Sequence, residues 1–303
     1  MKLIKQSYEI LEQKDFTLVG IKKFIERCGR VCYKSEDKIT DNSYEKFVGM
    51  LERRDHARPL EFGTVHLRMS DAKFEILQTL LMDKVYNDYW IKYNIIYTED
   101  EDNCYITTNY RYYLEMCKYA PWLPMYLDDS DSPSYPKRYT VHFIINRVTM
   151  DSFRTHVGLS HLGESTRYCS YDKNKFNNQV TFVIPHWCDL QEGEYNSTYY
   201  KPYCKEDTFA INCLNTEKNY LELINNGCTA QEARDVLPLS IKSELISCGF
   251  KDAWENFIRR RSPKYGDPGA HPMAAEIANK LGEEFIKKGY IDETKISCRR
   301  HPC

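Results

Sequence analysis

Hydrophobic positions recur at two different spacings along the chain, and the changes between them mark its elements. Residues 16–29, "FTLVGIKKFIERCG", read as a strand running into a short amphipathic helix that stops near Gly29. Residues 42–53, "NSYEKFVGMLER", set Phe47, Met50 and Leu51 at helical spacing, with Asn42 or Ser43 as the cap. After "DHARPLEFG", the run "TVHLRMS" alternates and predicts a strand. "KFEILQTLLMDKV" predicts a helix, and "TEDEDNCYITTNYRYYLEMC" a polar turn followed by a short element. "LDDSDSPSYPKR" reads as a loop by its Asp, Ser and Pro content. "RYTVHFIIN", rich in β-branched and aromatic residues, predicts a strand. "VTMDSFRTH" then starts a helix, with Thr149 as its cap.

The C-terminal third reads as mostly helical. "TEKNYLELINNG" ends at Gly227, and "TAQEARDVLP" opens with Thr229 and Glu232 at capping-box spacing before Pro238 breaks it. "SIKSELISCG" comes next in this series. "FKDAWENFIRRR" puts Phe250, Trp254, Phe257 and Ile258 on one face, and "HPMAAEIANKLGEEFIKKGY" is a long amphipathic helix. The tail, 292–303, is expected to be mobile. No repeat or low-complexity linker divides the chain, so one domain over 1–303 is expected.

Charge narrows the classes of function. Lys and Arg number 42 against 44 Asp and Glu, a net charge of −2, so no global basic field attracts nucleic acid and any anion site is local. No window approaches the length of a membrane span, and the N-terminus has no apolar run of signal-peptide type. A cytoplasmic protein with neither a membrane nor a nucleic-acid polymer as partner is expected. The 12 cysteines contain no Cys-x-x-Cys pair and no Cys/His knuckle, so no metal site is expected and the thiols read as reduced, half-buried hydrophobes.

Candidate chemistry concentrates in "GESTRYCSYDK", residues 163–173, and in "FRTH" just before it. Four polar clusters stand out: Arg154 with His156; Glu164, Ser165 and Arg167; Arg234; and Arg259 to Arg261. Guanidinium is a fixed fork that grips phosphate or a planar imide through paired hydrogen bonds. Several arginines on separate elements, plus one carboxylate, suit a nucleotide. Three of the four clusters also have a plain structural explanation. Arg234 fits a solvated helix face. Three arginines ending a helix favour its macrodipole. Glu164 and Arg167 as a surface pair would contribute about 0–1 kcal/mol. No Gly-x-Gly-x-x-Gly follows a strand, so the glycines do not support a Rossmann-type cofactor site.

Together these stretches resemble the flavin-dependent thymidylate synthases. That family's signature runs Arg-His-Arg, then Ser, then Glu-x-Ser-x-Arg-Tyr. "THVGLSHLGESTRY" supplies His156, Ser160, Glu164, Ser165, Arg167 and Tyr168 in register. "ARDVLP", Ala233 to Pro238, resembles the family's Ala-Arg-x-Val-Leu-Pro, and Arg261 follows Arg234 at the family's spacing. "HARPLEF" resembles His-x-x-Pro-x-Glu and gives His56, Arg58 and Glu61. The resemblance covers about 20–70 and 137–290 and makes 71–136 an insertion. It implies an α+β fold with a mixed or antiparallel β-sheet flanked by helices.

The resemblance also implies reductive methylation of dUMP to dTMP, with FAD as cofactor and NADPH and 5,10-methylenetetrahydrofolate as co-substrates, in a homotetramer. Arg261 would be catalytic, stabilising charge on the pyrimidine. Glu164, Ser165, Thr166, Arg167, Arg234 and Arg261 would bind dUMP. His56, Arg58, Arg154, His156 and Asn256 would bind FAD. Tyr168 reads as packing. The chain departs from the signature at Thr155 and Val157, which stand where the family has arginines; Arg154 is displaced by one residue, a helical rotation of about 100°. Two other outcomes fit that departure: altered chemistry, on another uridine nucleotide or giving a hydroxymethyl product, and a nucleotide-binding protein without catalysis.

Overall fold

"RYTVHFIIN" forms a strand over all nine of its residues, Arg138–Asn146, in a computed structural model that describes residues 1–54, 56–82, 94–167, 169–171, 178–196 and 202–296. In chain order the strands are β1 (Lys2–Ile4), β2 (Ser7–Leu11), β3 (Thr64–Met69), β4 (Ile95–Glu99), β5 (Cys104–Asn109), β6 (Arg138–Asn146), β7 (Ser160–Gly163), β8 (Thr181–Val183), β9 (Gly193–Glu194) and β10 (Lys242–Phe250). The main sheet is antiparallel in the order β2-β6-β10-β7. A second antiparallel sheet runs β3-β5-β4. In the third, β8-β1-β9, β1 pairs parallel with β8. Mixed sheets flanked by helices make this an α+β fold, as expected.

The main sheet is covered on both faces. Val141, Phe143, Ile145 and Leu245 pack on one side against Phe153, Trp254, Phe257 and Phe285, from the helices Arg147–Phe153, Lys251–Arg261 and Pro272–Lys287. Ile246, Cys248, Leu162 and Leu11 pack on the other against Phe24, Cys28 and Val31 of the helix Leu18–Tyr33. Side chains alternate along a strand, so Lys242 and Glu244 share the face that Ile246 and Cys248 turn to this helix. A further core joins the second sheet to the helices Ser43–Arg53, Asp71–Met82 and Tyr110–Tyr119.

"SIKSELISCG" belongs to no helix: it carries β10, and the burial of both faces removes the alternation that marks a half-exposed strand. The start of 16–29 forms no strand; the strand before the first helix, β2, ends at Leu11, and the helix runs through Gly29 to Tyr33. Gly29 lies against the Phe47 ring, where a Cβ would come within 2.8 Å, so this glycine is a contact point and not a stop. Asn146, not Thr149, caps the next helix: its backbone is extended and its side-chain oxygen accepts from the Thr149 N–H at 2.8 Å. Asn42 occupies the cap position of Ser43–Arg53 without a side-chain bond, and Ser43 Oγ instead donates to Glu26. "TEDEDNCYITTNYRYYLEMC" forms most of a hairpin, β4 and β5, and a full helix. In the tail, Ile296 is fully buried; residues 297–303 lie outside those described. The Thr229–Glu232 capping box forms as expected. All ten described cysteines are free, seven of them buried. No helix among the described residues is long and apolar enough to cross a membrane.

Candidate functional site

The signature stretch leaves β7 at Gly163 and passes between two depressions, which its successive residues help to line. Ser165 faces an open cleft of about 580 Å³, together with His56, Arg58, Arg111, His161 and Tyr33. Thr166 faces a smaller hollow of about 290 Å³, together with Arg147, Arg234 and Pro238. A further cavity of about 350 Å³, beside His66 and Tyr139, contains none of the residues expected from the sequence.

Glu61 organises the cleft. It sits in the 3₁₀ turn Arg58–Phe62 and is buried. Its Oε1 accepts from Arg111 Nη1 at 2.6 Å, and its Oε2 accepts from Ser160 Oγ at 2.6 Å and from Arg58 Nη1 at 3.3 Å. A buried carboxylate is stable only when its lone pairs are used. Here that requirement fixes two guanidinium groups at the rim. His161 lies deeper, with Nδ1 2.8 Å from Ser247 Oγ and Nε2 3.3 Å from the His156 carbonyl. Burial lowers its pKa to about 4 against the opposing pull of that carbonyl, so it is neutral near pH 7. The cleft's fixed positive charge therefore comes from arginine.

The hollow is built where the capping box delivers Arg234, in the 3₁₀ turn Arg234–Val236. Arg147 reaches it from the end of β6 and is held by backbone bonds from its N–H to Leu239 O and Ile241 O. Among the described residues the Arg234 side chain makes no hydrogen bond or ion pair. Arg167 is exposed and donates from Nε to Gln231 Oε1 at 2.9 Å.

Arg261 occupies a third place, at the end of Lys251–Arg261. Its Nε donates to His156 Nε2 at 2.7 Å, and its Nη2 donates to Ser152 O at 2.8 Å and to Thr155 Oγ1 at 3.1 Å. It thus closes the C-terminus of the helix Arg147–Phe153, where free carbonyls favour a cation. Burial and then the Arg261 charge lower the His156 pKa to about 3, so its Nε2 is a bare acceptor and its proton sits on Nδ1. Arg154 is exposed and lies 3.9 Å from Asp151. Asn256 Oδ1 accepts from Arg259 Nη2 at 3.0 Å and from Arg260 Nε at 3.4 Å.

The structure therefore brings His56, Arg58 and Ser165 to the cleft, Thr166 and Arg234 to the hollow, and Arg261 to His156. Glu164 lies between the two depressions and pairs with Lys242 Nζ at 3.0 Å. Tyr168 lies outside the described residues. Sequence reasoning missed Arg111, Arg147, His161 and Lys242. His161 was within reach, since it lies inside the signature stretch. Arg111 belongs to the supposed insertion, and only its contact with Glu61 ties it to the cleft.

The profile of the thymidylate synthase complementing protein family, Thy1, matches residues 128–288, more than half of the chain. The chain belongs to that family. Membership points to thymidylate-synthase-type chemistry on a uridine nucleotide. None of the curated proteins matches the sequence significantly. Solved structures of the UMP/dUMP methylase PolB from Streptomyces cacaoi are similar to it. The form bound with 5-Br UMP is 14% identical with a TM-score of 0.44, covering 97% of this chain and 94% of its own. The form bound with 5-Br dUMP is 16% identical with a TM-score of 0.41, covering 97% and 95%.

Proposed function

We propose that this protein methylates dUMP at C5, giving dTMP, with 5,10-methylenetetrahydrofolate as carbon donor, FAD as cofactor and NADPH as reductant. The observation that carries this reading is Arg234. It is a guanidinium without a partner among the described residues, set with Arg147 and Thr166 around a hollow in the family's own segment. Two cations and a hydroxyl converging on one concavity fit a phosphate monoester. Ser165 and Thr166 continue that surface towards the cleft, and Arg167 borders the strip.

The cleft residues fit a flavin dinucleotide. Arg58 and Arg111 at its rim match a diphosphate, and His56, His161 and Tyr33 offer flat surfaces. Bound flavin would supply the reducing equivalents. Arg261 would stabilise negative charge developing on the pyrimidine, because it is charged and held in position before the reaction. His156 would orient it through Nε2. Arg154 and Asn256 would complete the flavin contacts. The hollow and the cleft are separate depressions and Arg261 lines neither, which fits a site assembled from several subunits of a cytoplasmic homotetramer.

A second reading, nucleotide binding without turnover, draws on Arg261. Thr155, one of the two departures from the signature, accepts from Arg261, so the residue that differs also helps to occupy the guanidinium. One assay separates the readings. Protein, FAD, NADPH, methylenetetrahydrofolate and dUMP are combined, and NADPH oxidation and product mass are followed. Oxidation that depends on dUMP, with dTMP accumulating, supports methylation. A hydroxymethylated product, or no product despite dUMP binding, contradicts it.

A further inference from the structure

The strip between the two depressions contains a charge arrangement that the reading above does not use. β7 and β10 are antiparallel with Gly163 opposite Leu245, and one step on the Glu164 N–H donates to Glu244 O at 2.7 Å. The two glutamates therefore stand side by side, and both are buried. Two adjacent buried carboxylates do not both ionise unless a cation joins them. Lys242, two residues before Glu244 and on the same face of β10, is that cation. Its Nζ lies 3.0 Å from Glu164 Oε2 and also bonds Glu244 Oε1.

The two carboxylates are used differently. Glu244 is saturated: Lys242 and Lys34 share its Oε1, and His142 Nε2 lies 2.9 Å from its Oε2. Burial acts to raise its pKa, but His142, Lys242 and Lys34 outweigh burial and hold it well below the usual carboxylate range. Burial acts against the Lys242 charge, but Glu164 and Glu244 outweigh it and raise the ammonium above its ordinary value. Glu164 gives Oε2 to Lys242, while its Oε1 is buried with no hydrogen-bond partner among the described residues. An acceptor left in that state costs about 1–3 kcal/mol, and more when charged. The other groups nearby do not offer it a cation. Burial pushes the Cys32 and Cys169 thiols up to about 12 and about 11 and raises the Tyr171 phenol, so all three stay neutral. Glu36 pairs with Lys34, and Arg147 lines the hollow.

We propose that Lys242 is a positioning residue: it holds Glu164 as the acceptor for a sugar hydroxyl of the bound nucleotide. An ionised oxygen repels phosphate and takes a neutral donor. Thr166, two residues on, lines the hollow read as the phosphate site, and in a nucleotide the sugar is the group joined to the phosphate. In dUMP the free sugar donor is the 3′-hydroxyl. This inference rests on the uridine-nucleotide reading and identifies what recognises the sugar.

The test is calorimetric binding of dUMP and of 2′,3′-dideoxyuridine 5′-monophosphate to the full chain near pH 7. The parent should bind dUMP at least tenfold more tightly than the dideoxy compound. Lys242→Met leaves Glu164 beside Glu244 without the joining cation, so nothing holds Glu164 in place as an acceptor. Its dUMP affinity should fall about tenfold, and its preference for the hydroxyl should disappear. Lys242→Arg should restore the preference, which a merely structural role would not require. Should Lys242→Met fail to fold, Glu164→Gln, which leaves Lys242 on Glu244, should still lower the preference. A parent that binds both compounds equally overturns this inference and leaves the functional reading standing. Full preference retained in Lys242→Met or in Glu164→Gln overturns it as well. A parent that binds neither compound overturns both.

Discussion

Arg261 donates from Nε to His156 Nε2 at 2.7 Å, joining the end of one helix to the turn after another. His156 can accept only because burial and the guanidinium keep that nitrogen unprotonated. If Arg261 stabilises charge on the pyrimidine, Arg261→Ala should lower kcat at least about 100-fold, the size of effect seen when a preorganised charge is removed. Its lost hydrogen bonds should cost only about 1–3 kcal/mol of stability. Turnover at the parental rate would refute the assignment. His156→Ala should reduce kcat more than it changes the KM for dUMP, because it loosens Arg261 without removing it.

The two departures from the family signature should behave differently. Thr155 accepts from Arg261, so Thr155→Arg sets a second cation against that guanidinium and should lower activity. Val157 is half exposed, and Val157→Arg should fold normally and tighten FAD. Flavin titration of the two single variants, each followed by the turnover assay, separates these effects.

The contact at Gly29 should be visible in stability alone. Gly29→Ala drives a methyl group to 2.8 Å from Phe47 Cε1, inside the packing of the first two helices. Overpacking of this kind costs about 1–3 kcal/mol. Urea unfolding should show that loss with an unchanged m-value, and parental stability would mean that Phe47 moves freely.

Acid should unfold the protein in two stages. His66 is buried between the rings of Phe16 and Tyr135, and burial lowers its pKa from 6.5 to about 4. The unfolded chain binds the proton first, so this contribution is present above about pH 6.5 and is lost as pH falls towards 4, on the order of 3 kcal/mol in all. Glu244 is depressed below its ordinary 4.5, so its contribution is lost at lower pH still. Thermal unfolding across pH 7 to 3 should show both slopes, and His66→Phe should remove its share of the first, leaving the shares of His161 and His156.

What the sequence made legible follows from where its patterns are one-sided. Lys251–Arg261 and Pro272–Lys287 each bury one face, and both read correctly as helices. β10 buries both faces and lost its period, so its role at the centre of the main sheet was hidden. The site was legible as a set of residue types and not as a set of contacts. Glu61 meets Arg111 across 50 residues of sequence, and Glu164 meets Lys242 across 78. Nothing local marks such pairs, because the sheet register creates them.

The central claim is that one site holds a uridine nucleotide and a flavin together. Its most direct test is the visible absorbance spectrum of the purified protein during an FAD titration, with and without dUMP. A bound-flavin spectrum that shifts when dUMP is added is the predicted result. Saturable FAD binding with a spectrum indifferent to dUMP, or no FAD binding under either condition, would contradict the claim.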